Sequence, residues 1–329
     1  MRVWLISSMR SGSSTSPSGR AARSPISSKR PGGLRLNRRS KDARAIVLGL
    51  APAVFTLLLL FVGPLLLALV QSFGHAPMFG VQEFLTIRFY RAVLGSRRFQ
   101  AALWYTVYYA LVPTVLSTVV GTALAVAASV RMRGSRFLTF FIRLPLVVPY
   151  LVGAALVVAL FSNGGLIARL LYLFGVITST GDFPRILFGA GGWGIMLVYL
   201  FKQIPFVFIV VLSVLAGMGP EYREAARTLG AGPWRAFRHV VLPRIMPGIV
   251  TSSLLVFAFN FQSYEIPYLL GASYPGTLPV EALRRYQLPN LQRRPEAMAY
   301  VMVITAFSGV VLFLYLRAYR RWERSRGSL

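Results

Sequence analysis

Six long apolar runs limit what this chain can fold into more than any other feature. Each meets or exceeds the about 20 residues a helix needs to cross a hydrocarbon layer ~30 Å thick. They are Ala45–Phe73, Ala101–Ser129, Phe137–Ser162, Gly191–Met218, Ile245–Leu270 and Ala297–Leu316, and inside them only Arg143, Lys202 and Glu265 are charged. In lipid a backbone amide finds its partner within its own helix or not at all. The expected fold class is therefore all-α, a polytopic membrane bundle of six transmembrane helices. Composition agrees: 14% of the residues are charged, against about 25% in soluble domains. The mean hydropathy is +0.60 and there is no cysteine. A soluble enzyme, a disordered protein and a disulfide scaffold are excluded.

The charges outside the runs carry the topology. Lys and Arg total 36 against 9 Asp and Glu, for a net charge of +27, and only Lys29, Lys41 and Lys202 are lysines. A basic excess of this size raises the question of nucleic acid, but these residues sit at the ends of the apolar runs, so no nucleic-acid partner is expected. The tail before the first run, the loop Arg131–Arg136, the segment Pro220–Arg244 and the end from Arg317 together hold 24 of them, and the alternate loops hold 10. Basic residues accumulate on the cytoplasmic side, which predicts a multi-pass membrane protein with both termini inside. Three regions follow: a disordered, Ser/Arg/Gly/Pro-rich basic tail over 1–44, a six-helix transmembrane domain over 45–319, and a basic cytoplasmic end over 320–329. The apolar core Val3–Ile6 is too short for a signal peptide. The tail reads better as an over-long start or as a basic segment resting on anionic lipid.

One stretch carries specific information. Residues 219–243, between the fourth and fifth runs, parse as two short helices. Pro220 suits a first helical position, with Glu221 and Glu224 near the positive end of the helix dipole. Tyr222, Ala225, Ala226 and Leu229 recur at helical spacing, and Gly230 follows where a left-handed cap would stop the helix. Gly232-Pro233 restarts it, and Trp234, Phe237 and Val241 form a second apolar stripe. The product is a helix–Gly–helix hook with an Arg-rich upper surface, which on its own would fit an amphipathic helix lying in the membrane interface.

The residues themselves narrow that reading. Glu224-Ala225-Ala226, then Gly230, then Leu242-Pro243, resemble the EAA loop of ATP-binding-cassette importer permeases. Phe201-Lys-Gln-Ile-Pro-Phe206 and Asn163-Gly-Gly-Leu166 are also similar to segments of that family. The resemblance implies that the hook is a coupling helix seated in a cleft of an ATPase subunit, a helix-in-groove contact. It further implies two ATPase subunits, a second permease subunit (the same chain or another), an extracytoplasmic solute-binding protein, and a place in the bacterial cytoplasmic (inner) membrane. The chain would be no enzyme and would hold no cofactor. In line with this, none of the three lysines stands in a Gly-x-x-x-x-Gly-Lys-[Ser/Thr] loop, so ATP hydrolysis would belong to another subunit. A secondary transporter, which would carry inverted repeats, and a structural membrane protein are the rival classes.

The remaining candidates lie in the spans. His75 and His239 are far apart and, without cysteine, make no metal site of usual spacing. Lys202 lies nine residues after Trp193, about 13 Å down a helix, near mid-membrane. It could meet solute, or a carbonyl at a helix end inside the bundle. Arg143 is close enough to an edge to snorkel. Asn260, Gln262, Ser263, Tyr264 and Glu265 make a polar cluster in the fifth run, either a pathway lining or interhelical glue. Glu265, expected about 8 Å inside the outer end, would need a cationic neighbour such as Lys202, a water-filled cavity or a cationic solute. Pro145, Pro149, Pro205 and Pro247 are expected to interrupt their spans. For the solute, Thr228-Leu-Gly-Ala231 and Tyr264-Glu-Ile-Pro-Tyr-Leu-Leu-Gly271 resemble the polyamine and ion branch of the family, with sugar permeases as the alternative.

Overall fold

The computed structural model describes residues 35–83, 85–131, 136–218, 228 and 232–326. Two compact units divide at Leu60/Phe61. The first contributes the start of helix α1 (Arg35–Ser72). This helix begins ten residues before the expected end of the basic tail; the Arg, Leu, Lys and Ala that follow Gly33 are good helix formers with no Gly or Pro among them until Gly49. Residues 1–34 of that tail lie outside the described residues.

The second unit is a helical bundle. Its members are α2 (Arg88–Leu94), α3 (Arg97–Arg131), α4 (Arg136–Val147), α5 (Tyr150–Phe161), α6 (Leu166–Leu173), α7 (Trp193–Ala216), α8 (Pro233–Ala236), α9 (Leu242–Gln262), α10 (Glu265–Leu270), α11 (Leu278–Tyr286) and α12 (Arg294–Arg326). Two-residue strands β1 (His75–Ala76) and β2 (Val81–Gln82) pair antiparallel beside them. Six stretches are long and apolar enough to cross a membrane: Gly49–Ser72, Arg97–Ser129, Tyr150–Leu173, Trp193–Ala216, Pro233–Gln262 and Leu291–Arg321.

Helix α7 is the axis and the most buried of the spans. Gly121 lets α3 approach it: a Cβ there would lie 2.8 Å from Val207 Cβ and 2.9 Å from the Ile204 carbonyl. Three apolar clusters stack along the bundle. Val93, Phe99, Leu278 and Tyr300 centre one, Tyr109, Ile195, Tyr199 and Ile266 the next, and Phe208, Val211, Ile245 and Val241 the third, which adjoins the hook.

Two expected spans are corrected. The third runs over Tyr150–Leu173, not Phe137–Ser162, because the chain breaks at Val148-Pro149 and continues through a turn into α6. Pro149 has no N–H for the Pro145 carbonyl, and a residue before proline is pushed out of the helical region. By contrast Pro145, Pro205 and Pro247 sit inside α4, α7 and α9 without ending them. The fifth helix stops at Gln262 instead of running to Leu270. Pro267 leaves the Ser263 carbonyl without its helical donor, so the chain kinks at Ser263-Tyr264 and α10 starts afresh.

Candidate functional site: the polar centre of the bundle and the hook

Adjacent residues on a helix point about 100° apart, and Lys202 and Gln203 of α7 therefore reach different neighbours. Both are buried. The Lys202 ammonium donates to the carbonyls of Pro145 at 2.8 Å and Leu146 at 3.0 Å, and also to that of Val148. It lies 5.1 Å from the centre of the Tyr150 ring. Of the two partners open to it from the sequence, it has the helix-end carbonyls. The suggested pairing with Glu265 is not made, because the ammonium is turned to the α4–α5 break.

Gln203 turns the other way. Its Nε2 donates to Asn260 Oδ1, and Asn260 Nδ2 returns a bond to Gln203 Oε1 at 3.3 Å and a second to Thr114 Oγ1 at 3.3 Å. Thr114 in turn donates to the Ala110 carbonyl at 2.6 Å. Asn260 is thus a buried knot between α3, α7 and α9. Gln262 and Glu265 are exposed, Glu265 opening the first turn of α10. Asn260 and Lys202 lie in the packed interior, whereas Gln262, the last residue of α9, and Glu265, the first of α10, are exposed.

Sequence reasoning singled out neither Gln203 nor Thr114 as a site residue. The signal for Gln203 was its polarity beside Lys202 in an otherwise apolar helix. Nor did it mark Glu281 of α11, whose side chain is 2% exposed and lies between Arg98 Nε at 2.8 Å and Arg284 Nη1 at 3.2 Å. With the Leu278 amide donating to Thr106 Oγ1 at 2.8 Å, this ties α11 to the start of α3.

Of the hook, Glu224, Ala225, Ala226 and Gly230 lie outside the described residues, and so does the first hook helix. The second is described. Gly232 caps it, Pro233 stands in its first turn, and α8 passes through a π-helical turn at Phe237–Val241 directly into α9. The Leu242 amide bonds the Phe237 carbonyl, five residues back. Pro243 explains this: its ring would clash with the His239 carbonyl in a regular helix and it has no N–H to offer. Val241 is buried and Phe237 half-buried against the third cluster, while Trp234 is exposed at the free end, its ring 5.6 Å from that of Phe237. The second half of the hook is therefore the leading end of the fifth span and not a separate helix.

Residues 117–326 match the family described as binding-protein-dependent transport system inner membrane component. A sulfate transport system permease, CysW of Synechocystis, is 30% identical over 266 residues, which are 80% of this chain and 88% of that protein. The molybdenum transport permease ModB of Azotobacter vinelandii is 28% identical over 69% of this chain and 94% of its own length. AmyD of Thermoanaerobacterium thermosulfurigenes, a probable permease for starch degradation products, is 23% identical over 81% of this chain. In fold, the chain is similar to one in the crystal structure of a bacterial ABC transporter that imports the acidic polysaccharide alginate, with a TM-score of 0.72 at 18% identity over 87% of this chain and 98% of that one. With the matched segment covering well over half of its length and six apolar spans around it, this chain belongs to the binding-protein-dependent inner-membrane permeases and is a multi-pass permease subunit of an ABC importer.

Proposed function

We propose that this chain forms, with a second permease subunit, the path by which a small ion delivered by an extracytoplasmic solute-binding protein crosses the inner membrane. Separate ATPase subunits drive the step, docking on the hook over 219–243. The observation that carries this reading is the continuity of the hook with the fifth span. One uninterrupted stretch from Pro233 to Gln262 joins the ATPase-facing end to Asn260 at the polar centre. Glu224, Ala225, Ala226, Gly230, Leu242 and Pro243 make the coupling segment, and Gln262 and Glu265 stand at the mouth of the path.

Both termini are cytoplasmic, which the 24-to-10 division of basic residues supports. For the solute, an inorganic oxyanion stands ahead of a polyamine. Sulfate and molybdenum permeases are among the relatives. AmyD keeps a sugar-type solute as the second reading.

The test is purification of the tagged chain from its native membrane followed by uptake in vesicles with labelled sulfate, molybdate, putrescine and maltose. An ATPase should co-purify, and labelled oxyanion should enter only with ATP and binding protein present. Uptake of putrescine or maltose alone would overturn the solute reading. Absence of any ATPase would overturn the permease reading. A reporter after Arg324 should be cytoplasmic and one at Asp182 external.

A further inference from the structure

The elbow between α4 and α5 leaves backbone acceptors without donors. Pro149 cannot bond the Pro145 carbonyl, and the last carbonyls of any helix have no partner within it. The freed carbonyls lie against the middle of α7, where a side chain can offer the donor they lack. Lys202 supplies it. An ammonium has three N–H donors, and here they go to Pro145, Leu146 and Val148, which are the last turn of α4 and the linker itself. The Tyr150 ring, on the first residue of α5, closes the fourth side. One nitrogen atom on α7 thereby holds both arms of the elbow. Beyond Lys202, α7 runs on to Ala216, from which the chain enters the hook.

We propose that Lys202 is a positioning residue for transport: it clasps the α4–α5 elbow to α7, so that the elbow follows α7 when the hook is displaced. The proposal rests on the permease reading. It makes Lys202 a structural clasp and not a charge displayed to the solute, and the two roles separate on substitution. Arg keeps the positive charge, but its donors diverge in a planar fork and cannot converge on three carbonyls around one point. A charge displayed to an anion tolerates Lys202→Arg; a clasp does not.

The experiment uses the whole complex in nanodiscs. The chain has no cysteine, so with the other subunits made cysteine-free and a single permease copy substituted, Phe140→Cys on α4 and Val158→Cys on α5, both exposed, give one spin-label pair across the elbow. Their eighteen-residue separation would be about 27 Å in a straight helix, within range of pulsed dipolar spectroscopy. In Lys202→Met and Lys202→Arg the distance distribution should broaden and shift. ATP-driven uptake should fall about tenfold or more, the loss of at least one charge-assisted hydrogen bond, while the ATPase still co-purifies. An unchanged distribution in Lys202→Met, or normal uptake with Lys202→Arg, overturns the proposal. If Lys202→Met does not accumulate, the double variant with Pro149→Ala decides. The alanine restores the N–H that the Pro145 carbonyl lacks, so accumulation should return, and its failure to return overturns the clasp. A label pair that behaves as expected in a chain bringing no ATPase would refute the permease reading alone, since the distances report only on this chain's own elbow.

Discussion

Replacing Asn260 by Leu removes the centre of the knot between α3, α7 and α9 while keeping its approximate shape. Three bonds are lost: the one accepted from Gln203, the 3.3 Å bond returned to it, and the 3.3 Å bond to Thr114. The Ala110 carbonyl at 3.5 Å is too far to count. Interhelical hydrogen bonds in membranes are worth about 0.6 kcal/mol on average and ~1.7 at most. Three of them, two being long, come to about 2 kcal/mol. Thr114 keeps its own bond to Ala110, so the cost falls on the buried Gln203 amide, which loses both of its bonds to Asn260. Removing both partners should therefore cost less than the sum of the single changes. A cycle of Asn260→Leu, Gln203→Leu and the double variant, read by denaturant titration of the purified subunit in mild detergent, should give a coupling of about 1–2 kcal/mol. Additivity within ~0.3 kcal/mol would refute the knot. Loss of uptake at unchanged stability would instead place Asn260 on the solute path.

Three shorter predictions follow from other parts of the chain. Glu281→Gln leaves Arg98 and Arg284 without their shared carboxylate; breaking a buried pair costs about 3–5 kcal/mol, reduced here to about 2–3 because Arg98 is 47% exposed, and an unchanged thermal midpoint of the complex would count against it. If Gly230 takes the left-handed turn that the hook's sequence pattern predicts, Gly230→Val would force a β-branched residue into it at about 1–2 kcal/mol; uptake should be lost with the protein still in the membrane, and normal uptake would sink the hook assignment. The Thr178 hydroxyl, then the Ser179 amide, hold the Asp182 carboxyl below its usual range. A depressed carboxyl stabilises its turn above the unfolded pKa and stops doing so as pH falls through the folded one. Protection of the Ser179 amide should thus persist at pH ~5 and fail only below about pH 4, and loss already at the higher of these would contradict the assignment.

Much of the architecture was legible without coordinates because transfer into lipid is decided by consecutive residues added together. Runs such as Gly191–Met218 announce a span whatever their neighbours are, and Trp193–Ala216 is the helix found there. The restart at Gly232-Pro233 was equally local, since a β-region residue followed by proline is how a helix begins. The break at Val148 was harder. Proline spacing marked several sites as candidates, but Pro205 and Pro247 are absorbed within helices while Pro149 is not. At Pro149 the difference lies in a donor far along the chain, for Lys202 takes up the carbonyls the break sets free.

By itself, then, the sequence determined the all-helical class, the number of spans, the polar residues inside them and the motif of the hook. Each of these depends on a property read along the chain: hydropathy summed over a run, period, or a local cap. Only the tertiary structure decided what each polar group touches. It set Lys202 on carbonyls rather than on Glu265, turned Asn260 to Gln203 and Thr114, left Gln262 and Glu265 at the surface, and made the second hook helix one with α9. The physical reason is that a hydrogen bond is short and directional while the chain distance between its partners is arbitrary. Helical period fixes which way a side chain points on its own axis, and which helix stands there is known only once the bundle has packed.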